Sequence, residues 1–121
     1  MPAASILVVD DEPGVTAALR LMLEHGGHVV TETTNGQEAL DLLQTHSFQL
    51  ALVDLFMPEK EGLETISALK ARSPGIKVIA ISGAYSGEYL QIAKLLGADE
   101  ALPKPIRTAE LLAAVDRLLS S

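Results

Sequence analysis

The sequence predicts an α/β protein, a doubly wound three-layer sandwich built on a five-stranded parallel sheet. Three observations carry that expectation. Short aliphatic runs recur at residues 6–9, 29–33, 50–53 and 78–81, with a weaker one at 100–102. Three of these are unbroken rather than alternating, as in strands buried on both faces. The stretches between them carry apolar residues at three- and four-residue spacing, which marks amphipathic helices. Five β-α repeats joined by right-handed crossovers place helices on both faces of one sheet.

Each element has its own signals. After the first run, Pro13 suits the opening of a helix, where its missing N–H costs nothing. Leu19, Met22 and Leu23 give that helix an apolar stripe, and Gly26-Gly27 can end it. Asn35 is a good N-cap for a second helix with Ala39, Leu40 and Leu43 on its inner face. Leu63, Ile66 and Leu69 line the third, which Pro74-Gly75 breaks. Leu90, Ala93 and Leu96 mark the fourth, closed by Gly97. Thr108 is the expected N-cap of the fifth, whose stripe is Leu111, Leu112, Val115 and Leu118.

Size and composition bound the rest. With 121 residues the chain reads as one domain over 1–121, and no linker, repeat or low-complexity tract divides it. The fifth helix runs nearly to Ser121, and Met1 with its short lead-in reads as a natural N-terminus. An apolar fraction of 48% and a charged fraction of 21% are those of an ordinary globular protein. No apolar run approaches the roughly 18 residues of a membrane helix, and the N-terminus has no basic leader. Cysteine is absent, which excludes disulfides and thiolate metal sites. Nine basic against sixteen acidic residues, a net charge of −7, argue against nucleic-acid binding by this domain. The expectation is a small, acidic, cytoplasmic domain with no membrane contact.

In an open parallel sheet, ligands bind beyond the carboxyl ends of the strands. There the first run ends in Asp10-Asp11-Glu12, the third in Asp54, the fourth in Ser82-Gly83, and the fifth in Pro103-Lys104-Pro105. Two carboxylates about 5 Å apart repel by roughly 3 kcal/mol at an effective dielectric of about 20. Three of them with one lysine cannot all stay ionised comfortably: either one is protonated or a cation sits among them. Hard oxygen donors without nearby His or Cys favour Mg²⁺ over zinc. Lys104 and Ser82 could then hold phosphate oxygens by charge and hydrogen bond. Singly, each feature has a plainer reading. The acidic triplet can stabilise a helix N-terminus, Asp54 can be a turn residue, Ser82 structural, and Lys104 a solvated charge. Four separate loops supplying complementary groups at adjacent strand ends favour the functional reading. His25, His28 and His46 read as surface residues.

The sequence resembles the receiver domain of two-component response regulators over nearly its whole length. The resemblance rests on Ile6-Leu7-Val8-Val9-Asp10-Asp11-Glu12-Pro13, on Leu52-Val53-Asp54-Leu55-Phe56-Met57-Pro58 with Gly62, on Ile81-Ser82-Gly83-Ala84, and on Gly97-Ala98-Asp99 with Leu102-Pro103-Lys104-Pro105. It implies the flavodoxin-like fold with strand order 2-1-3-4-5. It implies Asp54 as phosphoacceptor for a sensor histidine kinase or phosphotransfer protein. It implies a Mg²⁺ site of Asp10, Asp11, Asp54 and the backbone carbonyl of Phe56, with Asp10 acting mainly through a metal-bound water. Ser82 would bond a phosphate oxygen, Gly83 would leave room for it, and Lys104 would pair with Asp54. The Lys104–Pro105 peptide would be cis. A homodimer through the fourth and fifth helices belongs to the same expectation.

The chain departs from the family at Ala101, where an aromatic switch residue usually stands. Tyr85 and Tyr89 are candidates to take over. The departure motivates an alternative, a phosphorylation-independent interaction module on the same fold. An aspartyl-phosphate phosphohydrolase is a poorer match, because Phe56 stands where such enzymes carry a second carboxylate. The expected role is regulatory, not enzymatic, apart from self-catalysed phosphotransfer and loss of the phosphoryl group.

Overall fold

Strand and helix alternate along the whole chain in the computed structural model, which describes residues 3–55, 61–83 and 87–120 and leaves the side chains of 87–90 out. The elements are β1 (Ser5–Val9), α1 (Pro13–His25), β2 (Val29–Thr33), α2 (Gly36–Leu42), β3 (Leu50–Asp54), α3 (Glu61–Arg72), β4 (Lys77–Ser82), α4 (Gly87–Leu95), β5 (Glu100–Pro103) and α5 (Thr108–Leu119). The strands form one parallel sheet in the order β2-β1-β3-β4-β5. The chain thus moves outward from β1 to β2 and then returns across β1 to β3. The order reverses between β1 and β3, and Val9 stands beside Val53 there. A cleft opens where successive crossovers leave for opposite faces, so Asp10 and Asp54 flank it.

Alternation along the strands divides the core in two. Leu7, Val9, Ala51, Val53, Val78 and Ala80 face one side, where Ile66 and Leu69 of α3 and Ala93 of α4 cover them. Ile6, Val8, Leu50, Leu52, Ile79 and Ile81 face the other, covered by Leu19 and Leu23 of α1 and Leu111 and Val115 of α5. All twelve of these strand side chains are at most 1% exposed, which is why the strands read as unbroken aliphatic runs.

Local signals explain the joints. Pro13 opens α1, and Gly27 past its end takes φ +88°, where a side chain would be strained. Gly97 does the same after α4 at φ +121°. Asn35 caps α2 by accepting from the Glu38 N–H at 2.8 Å. The Lys104–Pro105 peptide is cis. Two expectations need correction. Thr108 is the first residue of α5 and Arg107 holds the N-cap position, with no side-chain cap bond. His28 is buried, not on the surface: its Nδ1 accepts the Ala4 N–H at 3.1 Å, and the ring serves as a hydrogen-bond acceptor inside the molecule. A histidine whose ring nitrogen accepts a backbone N–H can be buried, which composition around it does not reveal. Among the described residues, no helix is long and apolar enough to cross a membrane.

Candidate functional site

The carboxyl edge of the sheet gathers its chemistry through strand register. Asp54 is the last residue of β3 and pairs with Ile81 of β4. The next N–H, that of Leu55, donates to the Ile81 carbonyl at 2.8 Å, so the backbone at Asp54 is anchored to β4. Asp10 follows β1 directly and is fixed by its own N–H, which donates to the Thr33 carbonyl at 3.1 Å. Ser82 ends β4 opposite Pro103, and the Lys104 N–H donates to its carbonyl at 2.7 Å. Three neighbouring strands and the turn after a fourth thus aim Asp10, Asp54, Ser82 and Lys104 at one place.

The side chains are poorly balanced there. Asp54 is 4% exposed and pairs with the Lys104 ammonium, Nζ to Oδ2 at 3.0 Å. Asp10 is fully buried, and its Oδ1 accepts the Glu12 N–H at 2.9 Å. Its Oδ2 has no hydrogen-bond partner, and neither has the buried Ser82 Oγ. A buried polar atom left unpaired costs about 1–3 kcal/mol. Burial pushes the Asp10 carboxyl up to about 7. The nearby Asp54 carboxylate adds to this, while the Glu12 N–H and the Lys104 charge pull the other way. The Asp10 carboxyl therefore holds its proton well above the usual carboxylate range.

The sequence placed three carboxylates at this edge, and the structure buries two. Asp11 lies exposed beside Asp10. Among the described residues, no three His, Cys, Asp or Glu side chains form a ready metal cage. Phe56 and Tyr85 lie outside the described residues, and Tyr89 falls within α4 without a described side chain. A Cβ built on Gly83 would meet nothing within 4 Å, so space lies open beside Ser82. Ala101 is half-buried opposite Ala80 and packs on the α3–α4 side of the core.

One contributor was visible in the sequence only as a motif glycine. A Cβ on Gly62 would stand 2.5 Å from the Asp54 carbonyl oxygen and 2.8 Å from the Leu55 Cα. The first turn of α3 therefore rests directly on the backbone that carries Asp54. A glycine just inside a predicted helix is the available signal for such close approach.

An orphaned buried carboxylate oxygen beside a second carboxylate fits a hard divalent cation, which would supply the missing positive charge. Receiver domains generally use Mg²⁺.

Comparison with known proteins agrees with the geometry. Residues 6–116 match the family described as "Response regulator receiver domain". The transcriptional regulatory protein CpxR of Escherichia coli K12 is 38% identical over 114 residues, which cover 94% of this chain and 48% of that protein. The chain thus spans about half the length of several curated relatives it matches. Among solved structures, a response regulator from Thermotoga maritima superimposes with a TM-score of 0.87 at 31% identity, covering 99% of this chain and 100% of the other. The BeF3-activated DrrB receiver domain does so with a TM-score of 0.86 at 25% identity, again covering 99% and 100%. The chain belongs to the response regulator receiver family of two-component signal transduction.

Proposed function

We propose that residues 1–121 form one receiver domain that takes a phosphoryl group on Asp54 in a Mg²⁺-dependent reaction. One observation carries the reading: a buried aspartate paired with Lys104 is flanked by two buried polar atoms, Asp10 Oδ2 and Ser82 Oγ, that lack partners. A tetrahedral dianion attached to Asp54 supplies an acceptor for Ser82 and for Lys104.

The donor is a phosphohistidine on a sensor kinase or phosphotransfer protein. An Asp54 carboxylate oxygen forms the new O–P bond as the donor's N–P bond breaks. The electron pair returns to the imidazole, which takes a proton from solvent. Lys104 stands 3.0 Å from Asp54 Oδ2 and offsets charge that builds on the phosphoryl oxygens. Ser82 donates its hydroxyl proton to one of them. Asp10, Asp11, Asp54 and the Phe56 carbonyl would hold the Mg²⁺, which offsets the carboxylate and phosphoryl charge. Ordered charge–charge contacts at such a site bias a two-state rearrangement, the usual basis of a phosphorylation switch.

A groove supports a protein donor. Val15, Ala18, Leu19 and Met22 of α1 and Lys104, Pro105 and Ile106 after β5 line an apolar cleft of about 500 Å³. A partner seated there reaches Asp54 along the lysine. Receiver domains of this type work in the cytoplasm, and the output passes to a partner protein or to further chain.

Ala101 favours one competing reading, a module that binds its partner whether or not it is phosphorylated. The same experiment separates the two. Intact mass is followed after treatment with acetyl phosphate, with and without Mg²⁺, beside Asp54→Asn. The expected result is one phosphoryl adduct that requires Mg²⁺ and is absent from the variant. No adduct, together with no binding of beryllofluoride, would leave the interaction module as the better account.

A further inference from the structure

The geometry points to Glu61 as a positioning residue for phosphoryl transfer, an inference that rests on the reading of Asp54 as the acceptor. Glu61 is the first residue of α3, and its Oε1 accepts the Gly36 N–H at 2.5 Å. That N–H belongs to the first residue of α2, so the carboxylate ties the starts of two helices together at the same edge of the sheet as Asp54. The junction is closely fitted. Gly36 is buried, and a Cβ there would collide with the Thr65 hydroxyl of α3 and come within 3.2 Å of Glu61 Oε1.

The consequence reaches Asp54 through one residue. Gly62 follows Glu61, and its Cα rests against the Asp54 carbonyl and the Leu55 Cα so closely that no side chain fits. The position of the first α3 turn therefore sets the backbone height of Asp54 against β4. Among the described contacts of Glu61, the bond to Gly36 ties that turn to the start of α2. A hydrogen bond to a carboxylate is stronger than a neutral one, and losing it leaves a buried N–H without its acceptor. Phosphoryl transfer needs the attacking oxygen in line and within contact distance, so displacements well below 1 Å slow it. Glu61 touches neither the phosphoryl group nor the metal; it acts by holding Asp54.

The test compares Glu61→Ala and Glu61→Gln with the wild type. Glutamine keeps an Oε1 that accepts the Gly36 N–H, whereas alanine removes it. Each protein is labelled with acetyl phosphate and Mg²⁺ under conditions where urea titration shows it fully folded, and the adduct is followed by intact mass. Glu61→Ala is expected to label about threefold to tenfold more slowly, a factor of ten corresponding to about 1.4 kcal/mol. Glu61→Gln is expected to stay within about twofold of wild type, since the hydrogen bond persists. The Leu55 amide resonance should shift in the alanine variant and return in the glutamine variant. Wild-type labelling rates in Glu61→Ala would overturn the role, and so would equal slowing in both variants. Failure of the wild type itself to label would instead remove the phosphoacceptor reading beneath it. If the alanine variant does not fold, the glutamine variant still decides: slowed labelling there contradicts a role through the hydrogen bond.

Discussion

Replacing Asp10 by asparagine should stabilise the metal-free protein, and the gain should grow with pH. Asp10 is buried, has one oxygen without a partner, and faces the Asp54 carboxylate. Its pKa stands near 7 in the folded protein against 3.8 for an ordinary aspartate. At about 1.4 kcal/mol per pH unit, that difference is worth at most about 4 kcal/mol. Local relaxation and water entry reduce it, so about 1–3 kcal/mol is expected. The folded state binds the proton more tightly than the unfolded one. Between about pH 4 and about pH 7 it therefore holds more protons, and stability falls as pH rises through that window. The contribution is fully present below about pH 4 and gone above about pH 7. Asparagine has no proton to lose. It keeps an oxygen for the Glu12 N–H and offers an amide N–H to Asp54. Urea unfolding in the presence of a chelator, stepped from about pH 5 to about pH 8, measures the gap between the two proteins. The gap should widen with pH and level off near the upper end. A gap that is constant with pH, or an Asp10→Asn protein less stable at about pH 8, would refute the reasoning. Mg²⁺ at about a hundred times its dissociation constant should return about 2.7 kcal/mol to the wild type and less to the variant.

Three further variants have expected outcomes. Ser82→Ala removes a buried hydroxyl that has no partner, so the unfolding midpoint should move little or rise slightly, while labelling by acetyl phosphate slows by about tenfold or more. Ion pairs away from the site should divide by whether the carboxylate also accepts a backbone N–H. Asp99 Oδ2 accepts both Lys70 Nζ and the Val78 N–H at 2.8 Å, so Asp99→Ala should cost about 1–3 kcal/mol in urea titrations. Arg117 meets Glu100 at 2.7 Å on the exposed side of α5, and Arg117→Ala should cost less than about 1 kcal/mol.

The sheet was legible because burial on both faces forces unbroken aliphatic runs. The structure extends those runs by a residue or two at most, for instance through Asp54 and Ser82. Strand order was not written in periodicity and came from family resemblance. The helices were legible where a stripe meets a packed face: Leu63, Ile66 and Leu69 are all buried, as the spacing predicts. The stripe fails at Leu96, which lies past the end of α4 and is 38% exposed. At the site, residue types marked Asp54, Ser82 and Lys104, but their environments needed coordinates. Which of two adjacent aspartates turns inward depends on chain direction at the strand end. Partners distant in sequence, such as Glu61 with Gly36 or His28 with Ala4, left no local pattern to read.

Stability and poor satisfaction are kept apart in this fold. The sheet interior is packed apolar on both faces, whereas among the described residues the buried side-chain atoms without partners, Asp10 Oδ2 and Ser82 Oγ, both lie at its carboxyl edge. Local rules broken at one edge mark a place where a ligand completes the structure. Under the proposed function, a cation relieves the carboxylate pair and a phosphoryl group engages Ser82 and Lys104. How that change travels is constrained by Ala101, which offers no aromatic ring to turn. The connection this chain does possess is backbone: the Lys104 N–H bonds the Ser82 carbonyl at 2.7 Å, and β4 pairs with β5 from Ile79 to Ser82. A pull on Ser82 and Lys104 therefore acts on the β4–β5 ladder itself. The surface it would move lies beside exposed Ile92 and Leu95 of α4, since α4 packs on both strands.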